Sequence, residues 1–244
     1  MMVSALLLGV VGDPSALVLL EKTIQAHGAR RLANSTYAFE FRGDRIRMHR
    51  RDGVFCYERI ETEADGETVT RLDNDGLVRW KDGVQRPAPD AAGRSLNSIV
   101  YFASLPYPLL DPAVHVEKRA DQRIRGRAFH VLDVSFRRQG GGDDHEDTFR
   151  YWLDAESSLI TFMAYRFSRD GGGVRFREAT DYVTVGRVRF IQWKNFGVQD
   201  STPPFDQVLK RWREGTLPLI SVVELEHLRR IPDSADPDRA ASEL

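Results

Sequence analysis

Cysteine is nearly absent: Cys56 is the only one in 244 residues. One thiol cannot form an internal disulfide, and it excludes a cysteine-rich zinc site. It does not exclude export, because a chain of this length can build a stable core without disulfide staples. Neither sign of charge predominates. The 35 Lys and Arg against 36 Asp and Glu leave a net charge of −1, which argues against a general nucleic-acid binder, normally clearly basic. No internal stretch is apolar for long enough to span a bilayer. The most apolar one, 96–110, is interrupted by Asn97, Ser98, Pro106 and Pro108. Also missing are the GxSxG elbow, the phosphate loop, the dinucleotide fingerprint, HExxH and the twelve-residue EF-hand loop. No motif therefore implies a cofactor, and nothing in the pattern requires an enzyme.

What is present is mostly β patterning. Asp13-Pro14 makes a helix start, Leu17, Leu20 and Ile24 follow at helical spacing, and Gly28 offers a stop. The period then changes to two, with Tyr37, Phe39 and Phe41 alternating with small or polar residues. "RIRMHRR" and "VFCYERIE" flank Asp52-Gly53, a strong hairpin signal, and Asp65-Gly66 and Asp75-Gly76 mark further turns. Residues 83–93 read as a loop. Leu96, Ile99, Val100 and Ala103 predict a helix capped by Ser95 and ended by Pro106 and Pro108. A second meander follows: "RAFHVLDVSF", "TFRYWL", "LITFMAYRF", "VRFREATDYV" and "RVRFIQWKNF". A short helix in "PFDQVLKRWREG" and a final strand, "LISVVELEHL", complete it.

The expected fold class is mainly β (α+β). About ten antiparallel strands curl into an open half-barrel, with an N-terminal helix and an inner helix buried against the sheet. Residues 13–231 read as a single domain and 232–244 as a disordered tail. Residues 1–12 are apolar over the length of a signal-peptide core but lack a basic start. They read either as a signal remnant or as a lead-in to the first helix.

The order helix, meander, inner helix, meander resembles the half-barrel of the lipoprotein carriers LolA and LolB. The segments "RDGVFCYER", "LNSIVYFASLPYPLLDPAV", "GGGDDHEDTFRYWLD", "AYRFSRDGGGVRFREA" and "LISVVELEHL" resemble an exported bacterial family of unknown function grouped near that fold. Over residues 14–230 the resemblance implies an open β-barrel with a hydrophobic concave face, in the cell envelope or periplasm. A cytoplasmic location is the alternative. Fold resemblance does not supply an activity.

Three readings of function follow. The first is a non-enzymatic carrier that holds a lipid or other hydrophobic small molecule in the concave face. Its candidate ligand residues are Tyr37, Phe39, Phe41, Tyr57, Tyr101, Phe102, Tyr151, Trp152, Tyr165, Arg175 and Arg177, with "LNSIVYFASLPY" as a plug or lid. The second is a metal-assisted hydrolase built on "GGGDDHEDTFRYW". There His145 and Asp147 face one way if the segment is extended, and Asp143, Asp144 and Glu146 lie beside them. The bland reading of that stretch is a solvated hairpin loop. The third is a structural domain whose interior is simply filled. Up-and-down strand order puts this loop and "RDGGGVRFR" at the same end of the sheet, so Arg169, Asp170, Arg175 and Arg177 become its expected neighbours.

Overall fold

The structure, a computed structural model, describes residues 9–139, 146–169, 171–198, 200 and 202–232. In chain order the elements are β1 (Val11–Gly12), α1 (Pro14–His27), β2 (Ser35–Phe41), β3 (Asp44–Arg51), β4 (Val54–Glu63), β5 (Gly66–Asp73), β6 (Gly76–Lys81), β7 (Val84–Arg86) and α2 (Asp90–Ala103). They continue with β8 (Val114–Ile124), β9 (Arg127–Phe136), β10 (Thr148–Asp154), β11 (Ile160–Phe167), β12 (Gly173–Val185), β13 (Val188–Val198), α3 (Phe205–Arg213), β14 (Leu219–Val223) and β15 (Glu226–Ile231).

The mainly β, open antiparallel class is as expected. Among the described residues, however, there are fifteen strands rather than about ten, and they divide between two sheets. One sheet runs β1-β8-β9-β10-β11-β12-β13-β14 and the other β15-β2-β3-β4-β5-β6-β7. The chain correspondingly splits into two compact units. Unit 1 holds the chain through Ala29, Pro106–Val183 and Ile191–Val223; unit 2 holds Arg30–Leu105, Thr184–Phe190 and the chain from Glu224 onward.

In unit 1, α1 starts and stops where its sequence predicts. Asp13 caps it by accepting from the backbone N–H groups of Ser15 and Ala16, and Gly28 closes it at φ 67°. Leu20 and Ile24 are fully buried. The side chain of His27 accepts the backbone N–H of Ile160 at 3.1 Å, tying the helix end to β11. Of the apolar leader 1–12, residues 9–12 are described. Val10 is buried, and Val11 and Gly12 pair in parallel with His115 and Val116 of β8. The other strand contacts of this sheet are antiparallel, with β10 between β9 and β11. Helix α3 lays Phe205, Val208, Leu209 and Trp212 on one face of the sheet. They form a continuous core with Phe129, Val131, Trp152, Phe162, Ala164 and Phe176.

In unit 2 the meander β2–β7 gathers a row of apolar side chains on one face. Tyr37, Met48, Tyr57, Leu72 and Leu77 form one cross-strand row, with Phe39 and Ile46 beside it. The opposite face carries charge pairs, among them Arg47–Glu58 at 3.6 Å, Arg71–Glu58 at 2.9 Å and Arg45–Glu67 at 2.7 Å. Helix α2 packs against β4 and β5 through Leu96, Val100 and Ala103, with Gly93 close to Leu77.

Three local expectations need correction. α2 begins at Asp90, not after Ser95. Pro89 stands at its cap without a side-chain hydrogen bond, because extended φ and ψ at a proline suit a helix entry. Residues 84–86 of the expected loop form a short edge strand. "LISVVELEHL" is not one strand: β14 pairs with β13, whereas β15 pairs with β2 in the other sheet. A backbone irregularity accompanies the change, with His227 at φ 51° and the register shifting between Glu226 and Arg229. Among the described residues no helix is long and apolar enough to cross a membrane.

Candidate functional site

The register of unit 1 assembles the most distinctive surface. Residues opposite each other in neighbouring strands share a face. Val134, Phe149, Tyr165 and Arg175 therefore form one row, and Leu132, Tyr151, Met163 and Arg177 form the next. Phe149 stacks on Tyr151 at 6.1 Å and on Tyr165 at 5.5 Å, and meets Phe136 edge-on at 5.8 Å. Tyr165 lies 6.1 Å from Phe167. The rows reach cations on β12: the Arg175 guanidinium sits 4.7 Å above the Phe167 ring and that of Arg177 5.7 Å from Tyr165. Phe149, Tyr151 and Arg177 are buried, whereas Phe136, Tyr165, Phe167 and Arg175 are half-buried. Arg175 also donates to the Val198 carbonyl at 3.1 Å. The surface is thus apolar and aromatic, partly open, and cationic along β12.

The expected ligand residues separate between the two units. Tyr151, Tyr165, Arg175 and Arg177 share the face just described. Trp152 does not: strand alternation turns it to the opposite face, where it is fully buried in the core beneath α3 and its indole donates to Gln122 at 2.9 Å. Tyr37, Phe39, Phe41, Tyr57, Tyr101 and Phe102 belong to unit 2. Tyr37 and Phe39 are buried there, and the Tyr57 hydroxyl accepts from Arg50 at 3.0 Å. Tyr101 and Phe102 of α2 are half-buried and meet edge-on at 5.3 Å. Phe41, also half-buried, lies beneath the guanidinium of Arg42 at 5.1 Å.

The α3 face of the unit 1 sheet carries a second feature, a cleft of about 410 Å³ between His115, Glu117, Asp133, Arg150, Arg166 and Phe205. Its charges are engaged with one another. Asp133 accepts from Arg119 at 2.6 Å and from Arg150 at 2.6 and 2.9 Å, and Arg150 reaches Asp206 at the start of α3 at 3.0 Å. Burial opposes ionisation of Asp133, but the hydrogen bonds from Arg150 and Arg119 outweigh it and hold the carboxyl below its ordinary range. Arg150 and Arg166 both stack over Phe205. This network anchors α3. Sequence spacing gives no sign of it, since it depends on the register of β8, β9 and β10 and on the distant Asp206 of α3.

Asp143, Asp144, His145 and Asp170 lie outside the described residues, so the candidate metal pair keeps only Asp147 in view. Asp147 and Glu146 precede β10, and the register of β10, β11 and β12 puts their end of the sheet beside Phe167 and Gly173. Among the described residues no group of three His, Cys, Asp or Glu side chains could hold a metal ion. The described histidines have separate partners. His49 meets Thr36 at 2.8 Å, His130 meets Asp121 at 3.1 Å, and His115 and His227 approach Glu117 and Glu40. Cys56 is half-buried, and burial together with the neighbouring Glu58 carboxylate pushes its thiol up to about 11, far from a nucleophile at neutral pH.

A model of a family of unknown function (DUF6503) matches residues 89–225. No curated protein matches the sequence. Among solved structures, a LolA superfamily protein from Nitrosomonas europaea is 10% identical, with 89% of this chain and 95% of that chain covered at a TM-score of 0.49. A DUF1329 family protein from Desulfovibrio piger is 10% identical over 94% and 98% of the two chains, at a TM-score of 0.46. The lipoprotein LppX of Mycobacterium tuberculosis is 11% identical over 64% and 90%, at a TM-score of 0.29.

Proposed function

The chain belongs to DUF6503, a family of unknown function, and on that premise we propose that it is a non-enzymatic binding protein of the cell envelope. Its ligand is a lipid or other hydrophobic small molecule, held on the aromatic face of unit 1, and residues 13–231 act as one functional domain. The observation that carries the reading is the pair of cross-strand rows that run through Phe149 and Tyr151 and reach Arg175 and Arg177. The half-buried rings of Phe136, Tyr165 and Phe167 offer surface to an apolar chain, and the half-buried Arg175 offers a cation to its polar end, which is the usual composition of a hydrophobic-ligand site. The cleft beside α3 is a poorer candidate, because Asp133 is already engaged by two arginines.

Isothermal titration of oleate into the purified protein tests this. Binding with a negative heat-capacity change is expected, and Tyr165→Ala should weaken it by roughly tenfold, the loss of one aromatic contact. The proposal fails if the unaltered protein binds no oleate, or if Tyr165→Ala and Phe167→Ala both bind it unchanged.

A further inference from the structure

A cleft of about 500 Å³ lies within unit 2, lined by Arg30, Arg31, Asn34, Tyr37, Arg187 and Arg230. The arginines come from three separate places: the 3₁₀ turn Ala29–Asn34, the tip of the β12–β13 hairpin, and β15. None of the described lining residues is acidic. Arginines elsewhere in the chain sit against carboxylates, as in Arg59–Asp44, Arg71–Glu58 and Arg127–Asp154. Arg31 and Arg187 make no ion pair among the described residues.

At the hairpin tip Arg187 takes a backbone conformation that does not favour arginine. Four other two-residue turns place both residues at positive φ with glycine second: Arg42-Gly43, Asp52-Gly53, Asp82-Gly83 and Arg125-Gly126. Here the order is reversed, with Gly186 at φ 58° and Arg187 at φ 66°. Glycine is needed first because a Cβ at 186 would come within 2.8 Å of the Tyr37 hydroxyl. Arginine is then left in a left-handed conformation that glycine or asparagine would adopt at lower cost. Burial pushes the Tyr37 hydroxyl above its ordinary value against the pull of Arg230 and Arg31, so two of the guanidinium groups act on the tyrosine that lines the cleft.

We propose that this cleft binds a phosphate-bearing anion, either free as a polyphosphate or as the headgroup of an anionic phospholipid. Four guanidinium groups around one space match an anion with several charges and several oxygens. The planar fork of each group fits phosphate in a bidentate manner. The cleft volume falls in the range of small-ligand sites.

The test is calorimetry with sodium pyrophosphate, run beside co-sedimentation with phosphatidylglycerol vesicles and phosphatidylcholine controls. At least one anionic probe should bind, more weakly as salt rises. Arg187→Gly is the decisive variant. Glycine suits φ 66°, so its melting temperature should hold or rise while binding weakens roughly tenfold. Arg31→Gln should weaken binding to a similar degree. Binding of pyrophosphate alone identifies a free anion as the ligand, and binding of vesicles alone identifies a headgroup; either supports the site. The proposal is overturned if neither probe binds, or if both variants bind like the unaltered protein. Oleate affinity should be the same in both variants, which separates this site from the aromatic face of unit 1.

Discussion

The two sheets use their faces differently. In unit 2 one face is apolar, through Tyr37, Phe39, Ile46, Met48 and Tyr57, and the other is a lattice of arginine–glutamate pairs. That polar face is buried at Arg47–Glu58 and open to water only toward Arg45–Glu67. In unit 1, β10 buries consecutive residues: Tyr151, Trp152 and Leu153 are each at most 2% exposed. Trp152 enters the core beneath α3, while Tyr151 belongs to the aromatic face. A sheet with two apolar faces must cover both. Unit 1 covers one with α3, whereas on the other Phe136, Tyr165 and Phe167 stay half-buried.

The largest expected effect tests the covered face. Phe176→Ala removes a fully buried ring that packs on Trp152, Phe162 and Trp212, and should cost about 3–5 kcal/mol in denaturant unfolding. A loss under about 1 kcal/mol would mean that α3 does not close a real core. Next comes the network that anchors α3. Asp133→Asn should cost about 1–2 kcal/mol at neutral pH. The folded carboxyl titrates below its ordinary value. Its contribution is therefore present above the unfolded value near about 3.9 and is lost as pH falls through the lower folded value. The gap between Asp133→Asn and the unaltered protein should accordingly be widest at neutral pH and close under acid; a gap independent of pH would show that the charge is not what stabilises. The smallest effect belongs to the wet face of unit 2. Arg45 and Glu67 are 35% and 46% exposed, so Glu67→Gln should shift stability by no more than about 0.5 kcal/mol. A larger loss by thermal melting would erase the contrast between the two sheets.

Much of the fold is legible in the residues. Asp13-Pro14 and Gly28 bound α1 as observed, and Asp52-Gly53 makes its turn with both residues at positive φ. Both signals act within a few residues, so no distant contact can override them. The strand alternation that separates Tyr151 from Trp152 can also be read locally. The break inside "LISVVELEHL" cannot: its apolar pattern suits either sheet, and only pairing with β13 on one side and β2 on the other divides it. The start of α2 is not legible for a related reason, since Pro89 caps by backbone conformation and offers no side-chain signal.

The candidate sites divide the same way. Tyr151, Tyr165, Arg175 and Arg177 were legible as strand residues of one meander, but their grouping depends on register, which is set by neighbouring strands. The arginine cleft of unit 2 had no sequence signal, because Arg30, Arg187 and Arg230 are separated by most of the chain.

By itself the sequence determined the secondary-structure class, most turns, the position of α1 and the absence of the familiar nucleotide and nucleophile motifs, because these follow from local backbone preference and residue chemistry. Only the tertiary structure decided how strands divide between two sheets, which aromatic side chains share a face, and where four arginines line one cleft. Those outcomes are set by pairing between segments far apart in the chain.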